Sequence, residues 1–235
     1  MAAAAPLPTY KTAFIESCLS ANVLTFGSYT LKSGRQSPYF FNAGSFHTAP
    51  LLDAISTAYA KTIITFLQSN PSLPKPDIIF GPAYKGVPLC CSTLLQLLRL
   101  DPSWSTVSYS FNRKEAKDHG EGGNIVGAPL KGKKVLVIDD VITAGTAMRE
   151  TLNLVAKQGG EVIGFVVALD RMETMPGQEE AGTKMSAIGQ IRKVYGIQTH
   201  SILTLDDLIA ALRQKGDASD LERMEAYRSR YLASD

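Results

Sequence analysis

Cysteine is scarce in this chain: Cys18, Cys90 and Cys91 are the only three in 235 residues. An odd set without metal-ligand spacing argues against a disulfide-stapled scaffold and against a cysteine-held metal, and it reads as thiols kept reduced. No stretch approaches the roughly eighteen unbroken apolar residues of a membrane span. The opening MAAAAPLPTY has no positively charged start and only a brief apolar run, so no secretory signal is expected. Charge of one sign is not in excess either. Lys and Arg number 24 against 22 Asp and Glu, a net +2, which lacks the basic footprint of a general nucleic-acid binder. The expectation is a soluble cytoplasmic protein whose partners are neither nucleic acid nor membrane, with ordinary apolar content of 45% and room for one large core.

What the chain does have is concentrated in one segment of thirteen residues, Val135 to Ala147. Val135, Leu136, Val137 and Ile138 are a continuous apolar run, the pattern of a strand buried on both faces. Two carboxylates, Asp139 and Asp140, follow at its carboxyl end. A turn of small residues, Val141, Ile142, Thr143, Ala144, Gly145, Thr146 and Ala147, then leads to a helical run from Met148 to Lys157. That turn carries neither the phosphate loop of nucleoside-triphosphate enzymes nor the Gly-x-Gly-x-x-Gly dinucleotide fingerprint. Its chemistry suits a phosphorylated sugar: the acids can accept from ribose hydroxyls or lie near a hard cation. Loop amides, the Thr143 and Thr146 hydroxyls and a helix N-terminus can donate to phosphate. Taken alone, an acidic pair after a buried strand can also simply start a turn or cap a helix.

Elsewhere the pattern alternates. An amphipathic helix is expected over 9–24, followed by an aromatic, β-prone segment from Leu24 to Asn42 with a turn at Lys32–Arg35. A helix follows from Pro50 to Gln68, then a proline-rich connection over 70–76. Asp77–Phe80 reads as a strand entering a Gly-Pro turn, Val87–Leu100 as a helix, Thr106–Phe111 as a strand and Val162–Leu169 as another. This order predicts an α/β protein with an open, mostly parallel sheet flanked by helices. The stretch 173–183 is expected to be a polar, mobile loop, and two helical patterns, Leu205–Lys215 and Leu221–Leu232, close the chain.

Three further clusters sit where such a sheet would gather its strand ends. The segment 113–123 offers Arg113, Lys114, Lys117 and His119 as cations, with Gly120, Gly122 and Gly123 allowing large excursions. A basic loop of this kind can fold over a departing anion and exclude water, although Glu115, Asp118 and Glu121 also permit a merely solvated turn. Tyr84 and Lys85 lie in the Gly81–Gly86 turn, where Lys85 can meet diphosphate oxygens or be incidental. Lys32, with the aromatics from Pro38 to Asn42, suits a planar anionic heterocycle, unless those rings simply fill a core. Arg171, just past a strand end, can reach a carbonyl or carboxylate of such a base, or else pair with Asp170 on the surface.

With those residues in view, Val135–Ala147 resembles the phosphoribosyl-diphosphate motif of type I phosphoribosyltransferases. Together with Leu31–Arg35, Pro38–Asn42, Gly81–Gly86, Arg113–Gly123 and Asp170–Met172, it resembles the orotate phosphoribosyltransferase family from about Phe14 to Leu212. The resemblance implies one type I phosphoribosyltransferase domain over 1–235. Residues ~1–48 and part of the C-terminal tail would form or support a small N-terminal hood. It implies Lys32, Tyr84, Lys85, Arg113, Lys114, Lys117, His119 and Asp139–Ala147 as contacts to phosphoribosyl diphosphate. Phe40, Phe41, Thr143 and Arg171 would contact orotate. Lys117, His119, Lys114 and Arg113 would be catalytic, Lys114 reaching a neighbouring subunit's site. It further implies Mg²⁺ held mainly through the diphosphate, with no dedicated protein metal ligand, and a homodimer with shared sites. A same-fold transferase acting on a purine or uracil, and a non-catalytic regulator retaining the fold, are the rival expectations.

Overall fold

The computed structural model describes residues 6–117, 123–142, 145–177, 184–215 and 217–235; the side chains of 116, 117 and 123 lie outside that description. Helix α1 (Thr9–Ser20) precedes strands β1 (Leu24–Thr30) and β2 (Gln36–Phe41), which pair as an antiparallel hairpin. The expected helix over 9–24 is shorter than foreseen. Asn22 takes a left-handed φ of 54°, and the apolar Val23 and Leu24 are drawn into the core at the start of β1.

Helix α2 (Ala49–Ser69), strand β3 (Ile78–Phe80), helix α3 (Gly86–Leu100), strands β4 (Ser108–Lys117), β5 (Gly123–Gly127) and β6 (Lys134–Val141), and helix α4 (Thr146–Lys157) form the middle of the chain. Strand β7 (Glu161–Asp170), helix α5 (Ala187–Tyr195), strand β8 (Gln198–Thr204) and helices α6 (Leu205–Lys215) and α7 (Ala218–Tyr231) complete it. The six-stranded sheet runs β5-β4-β3-β6-β7-β8. It is parallel except for the β4–β5 pair.

Strand β6 shows why the sheet is sandwiched. Val135, Leu136, Val137 and Ile138 are all fully buried, yet they serve two cores. Leu136 and Ile138 join the core containing α2, α3 and α6. Val135 and Val137 join a second core with Met148 and Leu152 of α4 and Ile188 and Ile191 of α5. Side chains alternate across a strand, so an uninterrupted apolar run is what two covered faces require. Burying each such side chain contributes about 1.5–3 kcal/mol relative to leaving it in water.

The basic segment over 113–123 departs from the expected loop. Its described flanks are strand: β4 continues through Arg113 and Lys114 to Lys117, and Phe111, Asn112 and Lys117 lie opposite Val126, Ile125 and Gly123. Ladder bonds to β5 occupy the backbone that a free loop would leave to water. Residues 118–122 lie outside the described residues. The stretch from 173 is likewise pinned at its start. Glu173 bridges to Leu232 and Thr174 to Ser186, because the chain end after α7 runs back along it. Strands β5 and β8 and helix α5 were not foreseen.

Candidate active site

Sheet order turns at one point. From β3 the chain passes to β4 on one side and then returns to β6 on the other. A crevice opens outside the carboxyl ends of strands flanking such a reversal, and here it lies between the β3–α3 turn and the acidic end of β6. The turn is held tight by its glycines: a Cβ on Gly81 would stand 2.0 Å from the Gly86 carbonyl oxygen, and no backbone can yield that much. Within it the Ala83–Tyr84 peptide is cis, and the Ala83 N–H donates to Asn112 Oδ1 at 2.9 Å, tying the turn to β4.

The side chains of this turn project into the open. Tyr84 is 70% exposed, and Lys114 Nζ lies 5.0 Å from its ring centroid, a cation–π contact within one chain. Lys85 Nζ donates to Asp140 Oδ2 at 2.7 Å across the crevice. A cleft of about 280 Å³ lies between the turn and β4, lined by Tyr84, Asn112, Arg113 and Lys114 among others. Lys117 stands at the end of β4. Its side chain, and all of His119, lie outside the described residues.

Asp139 and Asp140 end the buried run of β6. The Asp139 carbonyl oxygen accepts from the Tyr59 hydroxyl of α2 at 2.6 Å, and its carboxylate accepts from the Asp140 N–H at 2.9 Å. Burial, then the neighbouring charge of Asp140, push the Asp139 carboxyl up to about 7. Among the following residues, Ile142 is buried in the α4 core and Val141 packs against the other, so these two offer a ligand only their backbone. Thr143 and Ala144 lie outside the described residues. Gly145 precedes α4 with a left-handed φ of 69°, which a side chain resists. Thr146 and Ala147 are exposed at the helix N-terminus, where free N–H groups and the dipole favour an anion.

The hairpin places its aromatics on opposite faces. Phe40 is 42% exposed and lies 5.5 Å from the Tyr29 ring. Phe41 is buried beside Phe46. Adjacent strand residues cannot share a face, so the two do not act as one clamp. Lys32 is exposed in the hairpin turn.

Arg171 corrects the surface-pair expectation. It is buried, and it donates through Nε to Glu173 Oε1 at 2.7 Å rather than to Asp170. Asp170 instead accepts from the Met172 N–H. The Arg171 guanidinium also lies over the Tyr39 ring, 4.2 Å from its centroid, and one terminal nitrogen donates to Ser37 Oγ at 3.0 Å. Sequence reading missed Ser37 and Tyr227 because they lie 134 and 56 residues away along the chain, and Glu173, only two residues on, because it falls at the start of a stretch that reads as a polar loop.

Among the described residues no group of three or more His, Cys, Asp or Glu side chains could enclose a metal, and no helix is long and apolar enough to cross a membrane.

Comparison with known proteins identifies the family. Residues 53–188 match the phosphoribosyl transferase domain model. The chain is 56% identical to an orotate phosphoribosyltransferase of Metarhizium anisopliae, covering 97% of this chain and 98% of that one. It is 54% identical to one from Neurospora crassa, over 98% of this chain and all of the relative. The crystal structure of the Francisella tularensis orotate phosphoribosyltransferase superposes with a TM-score of 0.78 at 37% identity, covering 94% of this chain and 99% of that one. Near-complete overlap in both directions, at identities of this size, leaves little of the chain unaccounted for: it belongs to the orotate phosphoribosyltransferase family.

Proposed function

We propose that this chain transfers the phosphoribosyl group of 5-phospho-α-D-ribose 1-diphosphate to orotate, giving orotidine 5′-monophosphate and pyrophosphate in pyrimidine biosynthesis. The observation that carries this reading is the crevice between β3 and β6. Lys85 and Asp140 face each other there at 2.7 Å, a cation for diphosphate against an acceptor for ribose hydroxyls. Asp139 and Asp140 take the ribose hydroxyls, and the turn from Val141 to Ala147 cradles the 5′-phosphate with its amides and threonine hydroxyls. Tyr84, Lys85, Arg113, Lys114, Lys117 and His119 surround the diphosphate. Lys32 meets the same substrate from the hairpin side. Phe40 through its exposed ring, Phe41 through its backbone since its ring is buried, Thr143 and Arg171 hold orotate.

N1 of the pyrimidine attacks the anomeric carbon as the bond to pyrophosphate breaks. Positive charge grows on the sugar and negative charge on the leaving group. The protein supplies orientation and placed charge, with no covalent intermediate. Lys117 and His119 stabilise the leaving group as its charge develops, and cover over the site keeps water from the sugar.

Two adjacent carboxylates, one with a lysine against it, offer oxygen acceptors beside the diphosphate, a setting that suits a hard cation carried largely by substrate oxygens and water. Mg²⁺, when bound in this way, would supply charge neutralisation at the diphosphate. The chain acts as a homodimer in the cytoplasm. Exposed Leu95, Leu98 and Leu100 near the end of α3 support the first assignment, and three free thiols support the second.

The test is pyrophosphate release from the sugar donor and Mg²⁺ with orotate, uracil, adenine or hypoxanthine in turn. Orotate consumed with equimolar pyrophosphate is expected. Preference for another base, or no turnover with any, overturns the reading.

A further inference from the structure

The guanidinium of Arg171 is held on three sides and open on the fourth. It carries five N–H donors in a rigid plane. Nε donates to Glu173 Oε1 at 2.7 Å. The two N–H groups of Nη2 are directed at Ser37 Oγ, at 3.0 Å, and the Tyr227 hydroxyl, at 3.4 Å. The plane itself lies over the Tyr39 ring. Among the described residues no acceptor takes the two N–H groups of Nη1, although Arg171 is only 6% exposed. Nη1 is not one of the buried atoms left without a partner among the described residues, so this edge alone stays within reach of solvent, where a ligand's acceptor can take the place of water.

The partners form a closed set in which each hydroxyl both gives and receives. The Tyr227 hydroxyl donates to Glu173 Oε1 at 2.8 Å and accepts from Arg171. Ser37 Oγ donates to the Tyr39 carbonyl at 2.7 Å and accepts from Arg171. Glu173 Oε2 takes Arg35 Nη1 at 3.2 Å. Helix α7 is thereby coupled to both the hairpin and the end of β7: the Tyr227 ring meets Tyr39 edge-on at 6.2 Å, and the Thr174 N–H donates to the Tyr231 carbonyl at 2.9 Å.

We propose that Glu173 and Tyr227 are positioning residues for the pyrimidine: they fix the plane and azimuth of Arg171 so that its Nη1 edge faces a carboxylate or carbonyl of the base. Helix α7 then belongs to the base-recognition apparatus without touching the base. This inference rests on the reading that Arg171 contacts orotate. It goes beyond that reading by making orotate affinity depend on a hydroxyl in the last helix. Neither residue lines the cleft beside the β3–α3 turn, so sugar-donor binding is expected to be independent of them.

The test is steady-state kinetics on the full chain with each substrate varied in turn. Variants are Tyr227→Phe, Glu173→Gln, Arg171→Ala and the Arg171→Ala/Tyr227→Phe double variant. Tyr227→Phe keeps the ring against Tyr39 and Tyr231 and removes one oxygen, so it carries the test if Glu173→Gln fails to fold. The KM for orotate should rise about three- to tenfold in Tyr227→Phe. The KM for the sugar donor and kcat should stay within about twofold. The substitution should add nothing further once Arg171 is alanine, because a positioning group acts only through the residue it positions. An unchanged orotate KM in Tyr227→Phe, with a raised one in Arg171→Ala, overturns the inference and leaves the contact standing. A parallel shift in both KM values and kcat, with a lowered melting temperature, overturns it in favour of general loosening. An unchanged orotate KM in Arg171→Ala overturns both the contact and the inference.

Discussion

Lys85 Nζ and Asp140 Oδ2 lie 2.7 Å apart, joining the turn after β3 to the end of β6 across the point where strand order reverses. The lysine side chain is 56% exposed and the carboxylate 17%, so solvent screens the pair. Its contribution to folding is accordingly small. Diphosphate can compete for Lys85, and the released Asp140 can then turn to ribose hydroxyls.

Lys85→Met should therefore separate stability from binding. The unfolding free energy by urea titration should change by less than about 1 kcal/mol. The KM for the sugar donor should rise by about tenfold or more, the scale of one charge-assisted hydrogen bond. A large loss of stability with an unchanged KM would assign the pair to the fold instead.

Much of this crevice was legible from the chain itself. Val135–Ile138 announced a doubly covered strand because each residue is apolar, and Asp139, Asp140 and Gly145 marked its end and the entry to α4. Strand β8 was missed because two of its buried positions are Thr199 and Ser201, so its inward face does not read as apolar. Helix α5 is nine residues long and contains Gly189, too short for a period to register. Strand β5 begins and ends in glycine, which signals a turn when no partner strand is in view. The burial of Arg171 could not be read, since it depends on Ser37, Tyr39 and Tyr227 meeting it from distant segments, even though its ion-pair partner Glu173 is two residues away. The same tertiary burial separates Phe40 from Phe41, which look equivalent in the sequence.

A pH dependence follows from Asp139. Burial, reinforced by Asp140, raises its carboxyl from an ordinary 3.8 to about 7. The folded protein thus holds this proton over a window in which the unfolded chain has released it. The resulting stabilisation is present below about 4 and is lost as pH rises through about 7. Binding runs the opposite way, because the ionised carboxylate is the better acceptor for ribose hydroxyls. Affinity for the sugar donor should climb with pH up to about 7 and then level. Asp140→Asn removes the like charge and should move that limb to lower pH, whatever it does to the plateau. Calorimetric titrations from pH 5 to about 9 would check this; a limb that stays in place in the variant would contradict the assignment.

Charge on the leaving group develops mainly in the transition state, so a residue that meets it should affect turnover more than ground-state binding. Lys117→Ala should lower kcat by about a hundredfold or more while orotate affinity by equilibrium dialysis changes by less than about threefold. An unchanged kcat would remove Lys117 from that role.

The acidic end of β6 is proposed to grip the phosphoribosyl donor. Isothermal titration of 5-phospho-α-D-ribose 1-diphosphate with Mg²⁺ into the native chain and into Asp139→Asn/Asp140→Asn tests it most directly. Binding to the native chain is expected, with at least about a hundredfold weakening in the double variant and the melting temperature retained. Equal affinity in the two proteins would place the donor elsewhere and contradict it.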